Sequence, residues 1–186
     1  MPSYKKNEVV WFWKTKEKWG GLSNMAAGYP LDVNGVRFLT SEALYQAMRF
    51  PHLPDVQKAI IETRSPMSAK MIAKKHAADS IQPWEEMRVQ VMAWCLDIKA
   101  KQNAAFRELL EQTGDLPIVE YSRKDPFWGA VPVGDEDLVG DNTLGNLLIN
   151  LRAALRTDFP GSFDPVYPPL NMHYLKLFGE QLREVI

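Results

Sequence analysis

The stretch that decides the first part of the fold is TSEALYQAMRF, residues 40–50, in which polar residues stand between apolar and aromatic ones. Thr40 or Ser41 can cap a helix at its start, because a short hydroxyl side chain accepts a hydrogen bond from an unpaired N–H of the first turn. Pro51 disfavours helical geometry in the residue before it and stops the helix near residue 50. We therefore predict a short helix here.

This helix would bring three reactive side chains onto one face. Glu42, Tyr45 and Arg49 are separated by three and four residues, the spacing of neighbours on a helix surface. An acid, a phenol and a guanidinium could thus line one wall of a pocket. Taken alone, a glutamate in the first turn is explained by its favourable interaction with the helix dipole.

Upstream of this helix the sequence indicates β-structure. Residues 8–14 alternate between two faces, which is typical of a strand and places Lys14 on the side of Phe12. Asn34-Gly35 lies between two short β-prone runs, and both residues tolerate the positive φ of a tight hairpin turn. We predict a small antiparallel β-ribbon over residues 31–38.

Downstream the chain is mostly helical. A strand is predicted over residues 116–121, followed by an irregular loop over 122–142, where proline and glycine recur. A loop of this length inside a compact domain is usually functional. The predicted helices cover about residues 55–63, 65–78, 83 to beyond 98, 104–113 and 143–155, with a terminal helix over 171–185.

The composition fits one globular domain. The chain has 186 residues, of which 46% are hydrophobic and 24% charged, an ordinary globular usage. We predict a single α+β domain over residues 1–186, mostly helical with the small antiparallel ribbon. Residues 156–186 would form a C-terminal extension that carries the terminal helix.

Charge and cysteine content exclude several classes of protein. Lys and Arg number 22 against 23 Asp and Glu, so no global cationic field holds a nucleic acid, although a local basic patch could do so. A single cysteine, Cys95, excludes an internal disulfide, and with 3 His a thiolate-rich zinc site is excluded and no metal site is expected. Without a signal-peptide pattern or a bilayer-length apolar run, we expect a cytoplasmic protein with no membrane role.

The chain carries none of the common phosphate-loop, dinucleotide-binding, zinc-protease or hydrolase fingerprints. Short motifs over residues 11–155 instead resemble the NADAR (YbiA-like) family, named for a proposed link to NAD and ADP-ribose metabolism. Their consistent order argues against chance similarity. The motifs are Leu22-Ser23-Asn24, Thr40-Ser41-Glu42, Tyr45-Gln46-Ala47, Ser65-Pro66, Ala69-Lys70, Trp84-Glu85, Gln102-Asn103, Thr113-Gly114-Asp115, Val119-Glu120, Asp125, Trp128-Gly129, Asn142, Leu144-Gly145 and Leu147-Leu148.

The resemblance implies a YbiA-like fold and N-glycosidase chemistry without a metal or cofactor. Some relatives resemble enzymes that cleave the base–sugar bond of early riboflavin intermediates. Others resemble enzymes that remove ADP-ribose from guanine bases in DNA and are paired with ADP-ribosyltransferase toxins. For this chain we predict the second activity, on an ADP-ribosylated nucleic acid or a nucleotide-like molecule. The riboflavin-type activity and a non-catalytic ADP-ribose-binding module are the alternatives.

Three residues are predicted to be catalytic. The resemblance implies a functional Glu42, because a carboxyl group near the anomeric carbon can transfer a proton or stabilise positive charge there. Lys14 could form a Schiff base with a ring-opened sugar if Phe12 and Trp13 shield it from water, whereas a snorkelling lysine at a strand end is the plain alternative. Asp125 would support one of these two groups.

A second set of residues is predicted to bind the substrate. Many relatives have lysine where this chain has Arg49, which stays protonated and therefore suits clamping a phosphate rather than forming an imine. For Trp84 and Trp128 packing is the alternative to stacking, and Asn142 is also a common turn residue. N–H groups at residues 142–143 are offered to a diphosphate. The predicted set is Ser23, Asn24, Tyr45, Arg49, Trp84, Trp128, Gly129, Asn142 and Gly145.

Overall fold

The computed structural model describes residues 1–157, 165–169 and 173–186. They form two compact units, one from the described parts of 1–26 and 104–162 and one from those of 27–103 and 163–186. Helices predominate over short strands, so the predicted α+β class and its helical character are confirmed. The assignment of residues 1–186 to a single domain stays a prediction.

Within the described residues there are six α-helices and nine short strands. The helices are α1 (Ser41–Ala47), α2 (Pro54–Ile61), α3 (Pro66–Lys75), α4 (Trp84–Gln102), α5 (Ala104–Glu111) and α6 (Thr143–Thr157). The strands are β1 (Ser3–Lys5), β2 (Val10–Phe12), β3 (Leu31–Val33), β4 (Val36–Phe38), β5 (Ile118–Glu120), β6 (Val131–Val133), β7 (Asp137–Val139), β8 (Lys176–Leu177) and β9 (Glu180–Gln181). In the part of the chain that the structure describes, no helix combines the length and apolar character needed to cross a membrane.

The predicted β-ribbon is present as the antiparallel hairpin of β3 and β4. Asn34 and Gly35 form its turn with φ of 54° and 76°, the left-handed geometry that this residue pair tolerates. The Gly35 N–H donates to Asp32 Oδ1 at 3.0 Å and closes the turn. The local sequence thus determines this hairpin.

The first predicted helix, α1, begins at the predicted cap. Thr40 Oγ1 accepts a hydrogen bond from the Ala43 N–H at 3.2 Å, which satisfies one donor of the first turn. The helix ends at Ala47, about one turn before the predicted end. All of its residues are buried, because it packs against α2, α3 and α4. Polar side chains on α1 therefore need partners inside the protein.

The unit that contains residues 104–157 is built on a parallel pair of strands. β2 and β5 lie side by side, with Val10 opposite Ile118, and α6 packs against β5. A separate antiparallel sheet has the strand order β1-β7-β6. The parallel pairing places the ends of β2 and β5, Phe12 and Glu120, next to each other.

Residues 122–142 were predicted as an irregular loop, and this prediction is wrong for part of the segment. β6 and β7 pair antiparallel within it, and Gly134, with φ of 63°, lies in the turn between them. Each strand has three residues, and Pro132 lies in β6. Proline is tolerated there because β6 is an edge strand of the sheet. So short a strand interrupted by proline leaves little signal in the sequence.

The terminal helix predicted over 171–185 is also wrong. Its first two residues lie outside the described residues, and the described remainder contains the hairpin of β8 and β9. Phe178 and Gly179 turn the chain with φ of 53° and 83°, values that a right-handed helix excludes. The buried Gln57 side chain holds this turn, since its Nε2 donates to the Lys176 carbonyl at 2.7 Å and its Oε1 accepts from the Phe178 N–H at 2.8 Å.

Asn142 and Gly145 join α6 to β5. The Asn142 Nδ2 donates to the Ile118 carbonyl at 2.8 Å, and its Oδ1 accepts from the Glu120 N–H at 3.0 Å. A Cβ atom at position 145 would overlap the Ile118 carbonyl and the Asn142 amide. Only glycine therefore allows the start of α6 to approach β5 this closely.

Replacing Gly145 by alanine tests this close approach. At an exposed helical position the change would favour folding, because alanine has the higher helix propensity. At position 145 we expect the overlap to lower the free energy of unfolding by about 2 kcal/mol, as in other overpacked sites. The free energy of unfolding is measured by urea titration, with the circular dichroism signal as the readout. Asn150→Ala, at an exposed position of α6, is the control. A Gly145→Ala protein as stable as the wild type would contradict the packing argument.

Candidate functional site

Glu42 lies in the first turn of α1 and is only 5% exposed. Its Oε1 accepts a hydrogen bond from Gln46 Nε2 at 2.9 Å, one helical turn further on. A carboxyl group held in place by a hydrogen bond can transfer a proton to a neighbouring group or stabilise positive charge on it.

Gln46 links Glu42 to Arg49. While its amide nitrogen donates to Glu42, its amide oxygen accepts from Arg49 Nη1 at 3.2 Å. Arg49 Nη2 in turn donates to Ser80 Oγ at 2.9 Å, and that hydroxyl donates to the Ala77 carbonyl at 2.8 Å. Four side chains therefore form one hydrogen-bonded chain that fixes the orientation of the carboxylate and the guanidinium.

Gln46 and Ser80 were given no role by the sequence argument. The position of Gln46, four residues after Glu42 and three before Arg49, is a signal that could have identified it. Ser80 follows a short 3-10 turn at residues 77–79 and carries no comparable signal. Only the folded chain brings its hydroxyl to Arg49.

Arg49 borders a cavity of about 410 Å³. Burial lowers the pKa of its guanidinium, which nevertheless stays a cation because arginine titrates far above neutrality. Its Nε is buried and has no hydrogen-bond partner within the described residues. The cavity wall also includes Ser80, Gln82, Trp84, Glu85 and Glu86. A partly buried cation beside a cavity is a suitable contact for a phosphate.

Tyr45 and Trp84 pack against each other on the same part of the molecule. Their ring centroids lie 5.1 Å apart, and the Arg49 guanidinium is 5.5 Å from the Trp84 ring. Burial, together with the charge of Glu42, raises the pKa of Tyr45, so its phenol stays neutral at any physiological pH. Trp84 is 6% exposed, so most of its side chain is buried by packing, although it also borders the cavity.

Glu42 and Tyr45 of α1, with Arg49 two residues after its end, provide a carboxylate, a neutral phenol and a guanidinium in one unit of the protein. Their roles in a site stay predictions. The carboxylate can transfer a proton or stabilise positive charge, and the guanidinium can hold an anion.

Across the described ranges, no group of three or more His, Cys, Asp or Glu side chains is placed to hold a metal ion.

Lys14 belongs to the other unit, together with residues 1–26. It follows β2 by two residues, and its side chain is 61% exposed. Glu17 lies 3.8 Å from its Nζ, and the Trp13 ring lies 4.6 Å away. The shielding from water that the Schiff-base hypothesis assumed is thus not present. The catalytic role of Lys14 stays a prediction.

Asp125 organises the turn that precedes Gly129. Its Oδ1 accepts hydrogen bonds from the Phe127 and Trp128 N–H groups, both at 3.0 Å, and the residue is exposed. Trp128 is partly buried and contacts Phe127 edge to face at 5.1 Å. A Cβ at Gly129 would touch the Glu120 carbonyl, so this glycine allows a close approach of backbone to backbone. Contacts of Asp125, Trp128 and Gly129 with a substrate stay predictions.

The start of α6 is already occupied by protein groups. The Thr143 and Leu144 N–H groups donate to the Phe127 and Trp128 carbonyls, both at 3.0 Å. The amide of Asn142 is taken up by β5, as described above. The Asn142 N–H donates to the Gly129 carbonyl at 3.1 Å. Both N–H groups that the sequence offered to a diphosphate, those of Asn142 and Thr143, are therefore engaged within the protein, and substrate contacts of Asn142 and Gly145 remain predictions.

Ser23 and Asn24 follow the 3-10 turn Gly20–Leu22 and are both buried. Ser23 Oγ accepts a hydrogen bond from the Met25 N–H at 3.1 Å, which stabilises the turn locally. The role of Ser23 and Asn24 in substrate binding stays a prediction.

Comparison with known proteins places this arrangement in a family. Residues 11–156 match the NADAR domain model. The N-glycosidase YbiA of Escherichia coli K12 is 33% identical over 147 residues, which cover 79% of this chain and 88% of that protein. An N-glycosidase of Nostoc punctiforme is 27% identical, covering 80% of this chain and 93% of that protein. A riboflavin biosynthesis protein of Vibrio vulnificus is 29% identical, covering 82% of this chain and 40% of that protein.

The fold agrees with these sequence matches. The NMR structure of Escherichia coli YbiA superposes with a TM-score of 0.71 at 30% identity, covering 87% of this chain and 92% of that one. The matched range agrees with the motif range of residues 11–155 predicted from the sequence. The chain therefore belongs to the NADAR family.

Proposed function

We propose that this protein is an N-glycosidase that removes ADP-ribose from ADP-ribosylated guanine bases in DNA. Relatives named as N-glycosidases support the class of reaction. The observation that carries the proposal is the buried Glu42 carboxylate, oriented by Gln46 and linked through it to Arg49. An ADP-ribosyltransferase toxin would be the source of the modified base.

Glu42 would handle the proton of the reaction. Cleavage of an N-glycosidic bond requires a proton on the departing nitrogen or on the ring oxygen, and it leaves positive charge at the anomeric carbon. A carboxyl group serves either purpose when its position is fixed, and the bond from Gln46 Nε2 fixes one of its oxygens. Arg49 would hold a phosphate of the ADP-ribose, since its guanidinium borders a cavity.

Lys14 would act as a nucleophile in a covalent version of the reaction. A sugar attached through an exocyclic amine opens to an imine, to which a neutral lysine amine adds at C1. The base then leaves with its amine protonated, and water hydrolyses the new Schiff base to release the sugar and the lysine. Asp125, Trp128 and Asn142 would support the nucleotide in the same unit of the protein as Lys14.

A second candidate is the same bond cleavage on an early riboflavin intermediate. The name of the Vibrio vulnificus relative favours it. This reaction requires only a monophosphorylated sugar, so a single cation such as Arg49 would suffice for the phosphate. A non-catalytic ADP-ribose-binding module is the candidate from another class.

Replacing Glu42 by glutamine tests the proton-transfer role. The amide keeps the size of the side chain but cannot transfer the proton, so we expect turnover to fall by about 10²- to 10⁴-fold while the thermal unfolding transition is retained. Release of ADP-ribose from a modified guanine oligonucleotide measures the activity. Glu62→Gln, which changes an exposed carboxylate at the C-cap of α2, serves as the control. Undiminished release by Glu42→Gln would remove this carboxylate from the mechanism.

Borohydride trapping tests the role of Lys14. If Lys14 forms an imine with the sugar, reduction during turnover leaves a covalent sugar adduct that mass spectrometry locates on this residue. The Lys14→Ala variant should give no adduct, whereas Lys5→Ala, which removes an exposed lysine of β1, should give the wild-type amount. Turnover without any adduct in the wild type would argue for direct hydrolysis.

Substrate competition distinguishes the three candidate functions. The protein is incubated with an ADP-ribosylated guanine oligonucleotide and a riboflavin-pathway intermediate together, and the products are identified by mass. We expect ADP-ribose to be released first. Preferential cleavage of the riboflavin intermediate would favour the second candidate. Tight binding of ADP-ribose with no turnover, even at high protein concentration, would identify a binding module.

A further inference from the structure

The parallel pairing of β2 and β5 places two aromatic residues side by side at the ends of these strands. Phe12 and Glu120 are the last residues of the pair and lie opposite each other. Trp13 and Tyr121 follow them directly, and the Tyr121 N–H donates to the Phe12 carbonyl at 2.8 Å. Because both strands run in the same direction, the segments that leave them also start next to each other.

Three partly exposed rings form a continuous aromatic surface at this point. The Tyr121 ring lies 5.9 Å from Trp11 and 5.0 Å from Trp13, tilted by 43° and 45°. Trp11 and Tyr121 pack on a buried cluster that includes Val119, which fixes them from below. The rings are therefore packed against the protein on one side and remain partly exposed to water.

Basic side chains surround these rings. Lys14 Nζ lies 4.6 Å and the Arg123 guanidinium 4.8 Å from the centre of the Trp13 ring. Segments 13–19 and 121–124 together carry five basic residues and one acidic residue, Glu17, which pairs with Lys14 at 3.8 Å. The whole chain has a net charge of -1, so this positive charge is local.

The aromatic surface continues into a small cavity on the same unit. Trp11, Lys18 and Trp19 line this cavity of about 270 Å³, and the Lys18 Nζ lies 4.5 Å from the Trp19 ring. Partly exposed indole rings with a cation close to the ring thus occur at both Trp13 and Trp19. We call the surface formed by Trp11, Trp13, Lys14, Tyr121 and Arg123 the Trp13 face.

We propose that the Trp13 face binds single-stranded nucleic acid. Aromatic rings stack with unpaired bases of any sequence, and lysine and arginine beside them contact the intervening phosphates. A folded acidic protein would complement the charge but offers no row of flat rings, so the aromatic residues favour the nucleic acid. The biological meaning rests on the proposed function, in which the strand that flanks the modified guanine would lie on this face.

Binding of an unmodified strand tests this inference without catalysis. A fluorescein-labelled oligothymidylate of about 15 nucleotides is titrated with the protein while its anisotropy is followed, at salt concentrations from about 50 to about 200 mM. We expect affinity to fall steeply with salt and to be weaker for a duplex of the same length, whose bases are stacked on each other. Absence of binding at the lower salt concentration would overturn the proposal.

Substitutions at two positions, Trp13 and Arg123, separate the stacking and phosphate contributions. Trp13→Ala should weaken the affinity by about tenfold, and Trp13→Phe, which keeps a ring, should restore most of it. Arg123→Ala, at an exposed position, should lower the slope of log affinity against log salt by about 0.7. Lys5→Ala removes an equal charge from β1 and should change neither value. Wild-type binding by both Trp13→Ala and Arg123→Ala would overturn the assignment, as would equally tight binding of poly-glutamate.

The outcome is separable from that of the proposed function. Glu42→Gln should bind the unmodified strand as the wild type does, because Glu42 takes no part in the Trp13 face. Strand binding without release of ADP-ribose would leave the face established and refute the glycohydrolase. Release of ADP-ribose without strand binding would support the glycohydrolase and refute the role of the Trp13 face.

Discussion

The burial of one carboxylate, that of Glu42, is the constraint on which the candidate site depends. A carboxyl group that is almost removed from water must find a hydrogen-bond donor inside the protein, and Gln46 supplies it from the next turn of α1. The amide of Gln46 is itself held in place, because its oxygen accepts a hydrogen bond from Arg49. Arg49 in turn donates a hydrogen bond to Ser80. The orientation of the acid therefore depends on packing that α1 makes with its neighbours, not on the helix alone.

The other unit is held by a comparable constraint. Asn142 uses both atoms of its amide on the backbone of β5, and Gly145 leaves the space that this contact requires. The turn that begins at Asp125 then occupies the first N–H groups of α6. Residues that the family resemblance suggested as ligand contacts, Asn142 and Gly145, thus carry the architecture of this unit.

The sequence was most informative where a short segment determines its own conformation. The Asn34-Gly35 hairpin, the Thr40 cap and the start of α4 near Pro83 all follow from local chemistry. Prediction from the sequence failed where a contact with a distant residue determines the local conformation. The last residues of the chain turn as a hairpin because Gln57 binds the backbone of Phe178, and no pattern near residue 178 predicts that partner.

By itself, the sequence determined the family, the α+β class and the helix that carries Glu42 and Tyr45, because helical spacing and ordered motifs are properties of the chain alone. Only the tertiary structure decided which of these groups are buried, that Ser80 completes the chain from Arg49, and that Lys14 is exposed. It also decided that Trp13 and Tyr121 meet, since their positions in the sequence are far apart. The physical reason is the same in each case: burial and contact between distant segments are set by how the elements pack, which local propensity does not encode.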